Sequence, residues 1–175
     1  IQSLKLNDTK RLLDYEKTYE PYLQRWQPLR NSNYFSNDAA ERRVEESVIK
    51  QNQGNSITFL ATLRKGEAQS NEIIAVATFS NIVRGPFQAC NLGYSIAEKY
   101  QGKGLMHEVL IATIDYMFQS QSLHRIMANY MPHNHRSEKL LKRLGFTKEG
   151  IAKSYLKING SWQDHVLTSL VNADH

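Results

Sequence analysis

Cysteine is almost absent from this chain: Cys90 stands alone in 175 residues, so no disulfide can form within it, which favours a reducing compartment. Long apolar runs are missing too. The best candidate, Leu105 to Phe118, is interrupted by His107, Glu108 and Asp115 and falls short of the roughly 20 residues a membrane-spanning helix requires. The opening residues, IQSLKLNDTKR, have neither an apolar segment nor a small-residue cleavage site, so the cytoplasm is the expected compartment. Internal repeats, low-complexity tracts and Pro/Gly/Ser-rich linkers are also lacking, and residues 1–175 are read as a single domain. At 41% hydrophobic and 22% charged, a chain this long can bury a core without metal or disulfide staples. Its 22 Lys and Arg exceed 17 Asp and Glu, but the net +5 is spread along the sequence; it admits phosphate-bearing partners without selecting them.

What is present is an ordered alternation of periods. Asn7 and Asp8 are placed to cap a first helix carrying Leu12, Leu13, Tyr15 and Tyr19, with Pro21 expected to end it or open a short second turn. Ser36 and Asn37 open another, with Ala40, Val44 and Val48 on one face and Gly54 just beyond its end. The period then shortens: ITFLATLR, EIIAVATFSNIV and ACNLGYSI read as three antiparallel strands separated by KGEAQSN and RGPFQ. LMHEVLIATIDYMF reads as a helix with Leu105, Val109, Ala112 and Tyr116 on one stripe and Leu110, Ile114 and Met117 beside it. RIMANYM is expected as a strand, NHRSEKLLKRLGF as a helix stopped by Gly145, and Glu149 to Leu170 as a hairpin folded about Asn159-Gly160. The sum is an α+β layer, largely antiparallel.

The informative junction is NLGYSIAEKYQGKGLM, where a strand enters a basic glycine loop and passes directly into a helix. Helix N-termini present free N–H groups and positive dipole ends to phosphate, and Gly102 and Gly104 allow close backbone approach. No GxxxxGK[ST] occurs and the third glycine of a dinucleotide fingerprint is missing, so neither a P-loop nor a Rossmann site is supported. Standing alone, QGKG is equally an ordinary strand-to-helix turn.

QGKGLM resembles the Q/RxxGxG/A pyrophosphate loop of the GNAT superfamily of N-acetyltransferases. PYLQRWQP, NLGYSI, YQGKGLM, RIMANYMPHN, RLGFTKEG and the NGSWQDHVL tail together look like its RimJ/RimL group, over essentially the whole chain, and the RimJ branch in particular. The resemblance implies the GNAT fold: a mixed, mostly antiparallel sheet with helices on both faces and a splayed strand pair holding acetyl-coenzyme A. It implies that Tyr94, Ser95 and Ile96 line the pantetheine arm, with a backbone N–H near Tyr94 polarising the thioester carbonyl, while Gln101, Gly102, Lys103, Gly104, Leu105 and Met106 cradle the pyrophosphate. Met106 departs from the pattern, which has Gly or Ala there. Asn134 would hydrogen-bond the coenzyme A arm, its alternative being a plain helix cap. Ser137 would donate a proton to the departing thiolate.

The base is the open question. Where RimL-like enzymes place a glutamate, this chain has Leu156, leaving Glu149 and Asp164 as candidates. An α-amine with pKa about 7.7 to 8.0 is already on the order of one-fifth neutral near pH 7.3, against roughly a thousandth of a lysine amine, so a water relay suffices for an N-terminal acceptor. Tyr22, Trp26, Tyr34 and Phe35, with Tyr155 and Trp162 from the hairpin, are the candidate acceptor groove; Tyr22 and Trp26, four apart, should share a helix face. His133 and His135 lack the partners of a metal site, and Cys90 reads as packing.

The resemblance points to acetylation of a ribosomal-protein N-terminus, the alanine of a small-subunit protein, with possible ribosome association and no membrane or metal. Two other readings stand beside it: an acetyltransferase for a polyamine or amino sugar, which calls for acidic residues in the acceptor groove, and a ribosome- or RNA-binding protein with little catalysis, which no aromatic-basic motif supports.

Overall fold

The described residues, 1–65 and 68–173 of a computed structural model, form in chain order β1 (Gln2–Ser3), α1 (Thr9–Leu23), α2 (Asn37–Asn52), β2 (Ile57–Lys65), β3 (Ala68–Val83), β4 (Ala89–Ile96), α3 (Leu105–Gln119), β5 (Arg125–Met127), α4 (His135–Arg143), β6 (Thr147–Ile158) and β7 (Ser161–Val171). The strands make one seven-stranded sheet in the order β1-β2-β3-β4-β5-β7-β6. Every neighbouring pair is antiparallel except β4 and β5. Part of the expected KGEAQSN turn is strand, because β2 and β3 pair out to Lys65↔Ala68; residues 66 and 67 lie outside the described residues.

Alternation along the strands feeds a core on each face. Phe59, Ala77, Phe79, Cys90 and Leu92 pack with α3 on one side; Leu60 and Ile73 meet Tyr15, Tyr19, Leu23 and Val44 of α1 and α2 on the other. Ser36 caps α2 by accepting from the Ala39 N–H at 3.2 Å. Asp8 behaves differently from the expected cap. Its carboxylate accepts from the Lys5 N–H at 3.0 Å and pairs with Arg11 at 2.7 Å, closing the 3-10 turn before α1. Pro21 sits inside α1, which runs on to the buried Leu23 and then tightens into a 3-10 turn over Gln24–Trp26.

Two expected elements change in a way that bears on the site. The buried row of α3 is Met106, Val109, Leu110, Thr113, Ile114 and Met117, while Ala112 and Tyr116 turn outward. This helix is apolar on most of its circumference, so periodicity alone does not fix its phase; Thr113 is buried at little cost because its hydroxyl donates to the Val109 carbonyl at 2.8 Å. RIMANYM is strand only over Arg125–Met127. Beyond it the chain stays with β7, through Ala128 N–H to the Thr168 carbonyl at 3.0 Å and the Tyr130↔Val166 bridge, and parts from β4.

Candidate active site

That parting makes the site. β4 and β5 pair only from Ala89↔Arg125 to Asn91↔Met127, whereas β4 remains paired with β3 as far as Ile96. From Leu92 onward the other edge of β4 leaves the ladder and faces a gap. α4 closes the gap, its start fixed by Asn134, whose side chain accepts from the Ser137 N–H at 3.2 Å. Across it the Tyr94 phenol and the Ser137 hydroxyl share a short hydrogen bond. Burial pushes the Tyr94 phenol up to about 12, the Ser137 bond opposing this in part, so Tyr94 keeps its proton at neutral pH.

The glycine loop lies at the end of β4. Gly102 and Gly104 adopt φ of +72° and +78°, with no heavy atom within 4 Å of where a Cβ would project. The first α3 bond runs from the Glu108 N–H to the Gly104 carbonyl, leaving the N–H groups of Leu105, Met106 and His107 outside the helical ladder. Lys103 is exposed above them. Met106, the departure from the loop pattern, points into the α3 core and leaves the loop's concave side clear. Beneath the loop, Glu72 accepts from Lys99 at 2.7 Å and from the phenols of Tyr19 and Tyr100 at 3.1 Å each. These partners, Lys99 foremost, hold its carboxyl below the usual range. The open edge, the unfilled loop and the free helix N-terminus fit a pantetheine arm and a pyrophosphate.

On the opposite side a cavity of about 960 Å³ reaches Gly93, Tyr94 and Ser95 from between α1, α2 and the sheet. The Tyr15 phenol meets the Ser95 hydroxyl at 2.9 Å on its floor, and burial raises that phenol's pKa. Its wall holds a charged knot that the sequence did not reveal. Glu16 accepts from Arg43 at 2.5 Å and from the Tyr34 phenol at 3.1 Å, with Arg30 at 3.7 Å. Both guanidiniums lie against the Tyr34 ring, at 4.0 Å and 3.6 Å from its centre.

The candidate groove aromatics separate. Trp26 lines the cavity, 5.6 Å ring to ring from His133. Tyr22 is outside that lining and donates to Gln101 Oε1 at 2.9 Å, beside the glycine loop, while the Arg25 guanidinium lies 4.7 Å from the centre of its ring and 5.9 Å from that of Trp26. Tyr155 and Trp162 lie on the exposed hairpin, outside the cavity lining, Trp162 being 64% exposed. At its tip the hairpin reaches the α1–α2 loop, where the Asn159 N–H donates to the Gln27 carbonyl at 2.9 Å.

Neither candidate carboxylate is brought to the gap. Glu149 is ion-paired with Arg125 and accepts from Ser169 at 2.9 Å, level with the closed end of the β4–β5 pair. Arg125 holds its carboxyl below the usual range, the reverse of what a base needs. Asp164 is tied to Lys153 at 2.7 Å and to the Ser154 N–H at 2.9 Å, which lowers its carboxyl too. Cys90 is fully buried, its thiol pushed up to about 12. Among the described residues no group of three or more potential metal ligands gathers, and no helix is long and apolar enough to cross a membrane.

The family model for the acetyltransferase (GNAT) domain matches residues 2–147. The chain belongs to the GNAT acetyltransferase family. As a member it draws its acetyl group from acetyl-coenzyme A, which the open edge and glycine loop fit. It is 49% identical over 167 residues, 95% of this chain and 84% of the relative, to the [ribosomal protein uS5]-alanine N-acetyltransferase of Escherichia coli K12. The crystal structure of ribosomal-protein-S5-alanine acetyltransferase from Vibrio fischeri superposes with a TM-score of 0.91 at 40% identity, covering 99% of this chain and 92% of that one. Mycobacterium smegmatis RimJ, solved with CoA-disulfide, shares the fold at a TM-score of 0.89 and 22% identity, covering 99% and 81% of the two chains. The GNAT fold expected from the sequence is the fold observed.

Proposed function

We infer that this chain, acting as one domain in the cytoplasm, transfers acetyl from acetyl-coenzyme A to the N-terminal α-amine of a ribosomal protein, the alanine of uS5. The observation that carries this reading is the meeting of two clefts at Tyr94: its phenol faces Ser137 in the gap, and the acceptor cavity opens at the same residue from the other side. Two substrates entering from opposite faces can then react directly, with positioning as the main contribution.

The thioester supplies an activated acetyl group. The open edge of β4 aligns the arm that carries it, and a backbone N–H near Tyr94 stabilises charge developing on the carbonyl oxygen. The acceptor nitrogen forms the C–N bond as the C–S bond breaks. Ser137 gives its proton to the leaving sulfur, and the Tyr94 phenol orients that hydroxyl. The proton lost by the amine passes to water in the cavity, and the Ser137 oxygen regains a proton from solvent, so that the net change is one proton moved from the amine to the thiol; an α-amine of pKa about 7.7 to 8.0 permits this without a carboxylate base.

The cavity's charges disfavour a polyamine acceptor: Glu16 is the single carboxylate among its described lining residues, against Arg30, Arg43 and Lys50. The names of the E. coli and V. fischeri relatives support alanine of uS5 as acceptor, and transient association with the ribosome or its subunit follows from that acceptor. Incubation of mature uS5 with the protein and acetyl-coenzyme A, followed by mass spectrometry of the N-terminal peptide, tests this: one acetyl group on the terminal alanine is expected, and acetylation confined to lysines overturns it.

A further inference from the structure

Arg136 lies in the first turn of α4, one residue before Ser137. Its guanidinium reaches out of the helix to the other side of the gap. Nη1 donates to the Tyr22 phenol oxygen at 3.0 Å and to Gln101 Oε1, the same oxygen that Tyr22 itself engages at 2.9 Å. One side chain therefore joins α4 to the residue that opens the glycine loop and to the end of α1. Both of its acceptors are neutral. Among the described residues Arg136 forms no ion pair with a carboxylate, and Glu138 on the same turn is engaged by His135 at 3.4 Å. A guanidinium has five N–H donors in a planar fork, of which those two bonds use only Nη1.

Arg136 is exposed, and through Gln101 its guanidinium is joined to the residue that opens the glycine loop, with its remaining N–H donors turned to no carboxylate among the described residues. A planar fork is the donor geometry that a phosphate takes two-handed, and the loop already presents the N-terminus of α3 to the same kind of group. We propose that Arg136 binds a phosphate group of acetyl-coenzyme A, adding to the glycine loop's N–H groups a charge that lies outside the loop motif. Gln101 and Tyr22 hold the side chain over the loop in readiness, which reduces the ordering that binding demands. The inference rests on the cosubstrate site read above.

Steady-state kinetics with acetyl-coenzyme A, acetyl-dephospho-coenzyme A and acetyl-pantetheine test it, for the wild-type protein, Arg136→Gln and Arg136→Lys. In Arg136→Gln the KM for acetyl-coenzyme A should rise roughly tenfold or more, as for a lost charge-assisted hydrogen bond, while that for acetyl-pantetheine, which has no phosphate, moves less than twofold. Arg136→Lys, keeping the charge without the fork, should fall between. A matching rise with acetyl-dephospho-coenzyme A assigns the contact to the pyrophosphate; a rise with acetyl-coenzyme A alone assigns it to the ribose phosphate. Equal rises for all three donors, or an unchanged KM for acetyl-coenzyme A, overturn the proposal. A wild-type protein that fails to distinguish acetyl-coenzyme A from acetyl-pantetheine overturns the cosubstrate site itself.

Discussion

Tyr94 and Ser137, 43 residues apart in sequence, share a hydrogen bond across the open edge of β4. The bond exists because β5 leaves β4 after Asn91↔Met127 and α4 is anchored by Asn134 directly opposite. Removing the Ser137 hydroxyl should slow chemistry with little effect on donor binding. A thiol of pKa about 8.5 leaves tolerably without help, so Ser137→Ala should lower kcat by roughly ten- to a hundredfold, at the low end of acid catalysis. Tyr94→Phe, which only frees the serine rotor, should cost less. Stopped-flow turnover with equilibrium titration of coenzyme A separates the two effects, and a parallel loss of affinity in Ser137→Ala would assign it to binding instead.

Gly104 precedes α3 at φ +78°, with open space where a Cβ would lie. A side chain there meets no neighbour, so the penalty is backbone strain of about 1–2 kcal/mol, relieved by turning the loop N–H groups out of line. Gly104→Val should therefore weaken acetyl-coenzyme A binding about tenfold and leave the turnover of saturated protein largely intact. Isothermal titration beside kcat at saturating donor checks this division.

The role considered for Glu149 gives a sharp contrast. It is bound to Arg125 and Ser169 away from the gap, so Glu149→Gln should keep kcat and its pH profile within about twofold, the scale of a surface substitution. A large fall in kcat with loss of the acid-side limb of that profile in the variant would restore Glu149 as the base.

Much of the fold was legible. Ser36, Asn134 and the Asn159-Gly160 turn each carry a local signal that does not depend on tertiary context, and each behaves accordingly, the turn with φ of +45° and +83°. The phase of α3 was legible only in part: Val109, Leu110, Ile114 and Met117 are buried as expected, whereas Ala112 and Tyr116 are exposed, because a helix apolar on most sides has several plausible buried rows. The length of β5 was not legible, since RIMANYM carries no turn signal that marks where pairing passes from β4 to β7. In the site, the glycine loop and α4 cap announce themselves as motifs. The Glu16, Arg30, Arg43 and Tyr34 knot and the Arg136 bridge assemble residues whose types are ordinary on any helix surface, and only the fold joins them.

Glu72 buttresses the loop through Lys99, Tyr19 and Tyr100, and its carboxyl is held below its usual range in the folded protein. A depressed folded value means that the stabilisation is complete above the unfolded carboxylate pKa of about 4.3 and is lost as pH falls through the folded value. Glu72→Gln should lower Tm at pH 7, and the gap from wild type should close in acid. Thermal melts from pH 7 down to pH 3 read this directly; a gap that widens in acid contradicts the assigned partners.

The most direct test of the central claim follows thiol release from acetyl-coenzyme A with three acceptors in parallel: a peptide bearing the alanine N-terminus of uS5, the same peptide N-terminally blocked but containing lysine, and spermidine. A site with positively charged acceptor walls and no carboxylate base should turn over the free alanine peptide alone. Turnover of spermidine or of the blocked peptide in its place, or silence with all three despite donor binding, would contradict the account.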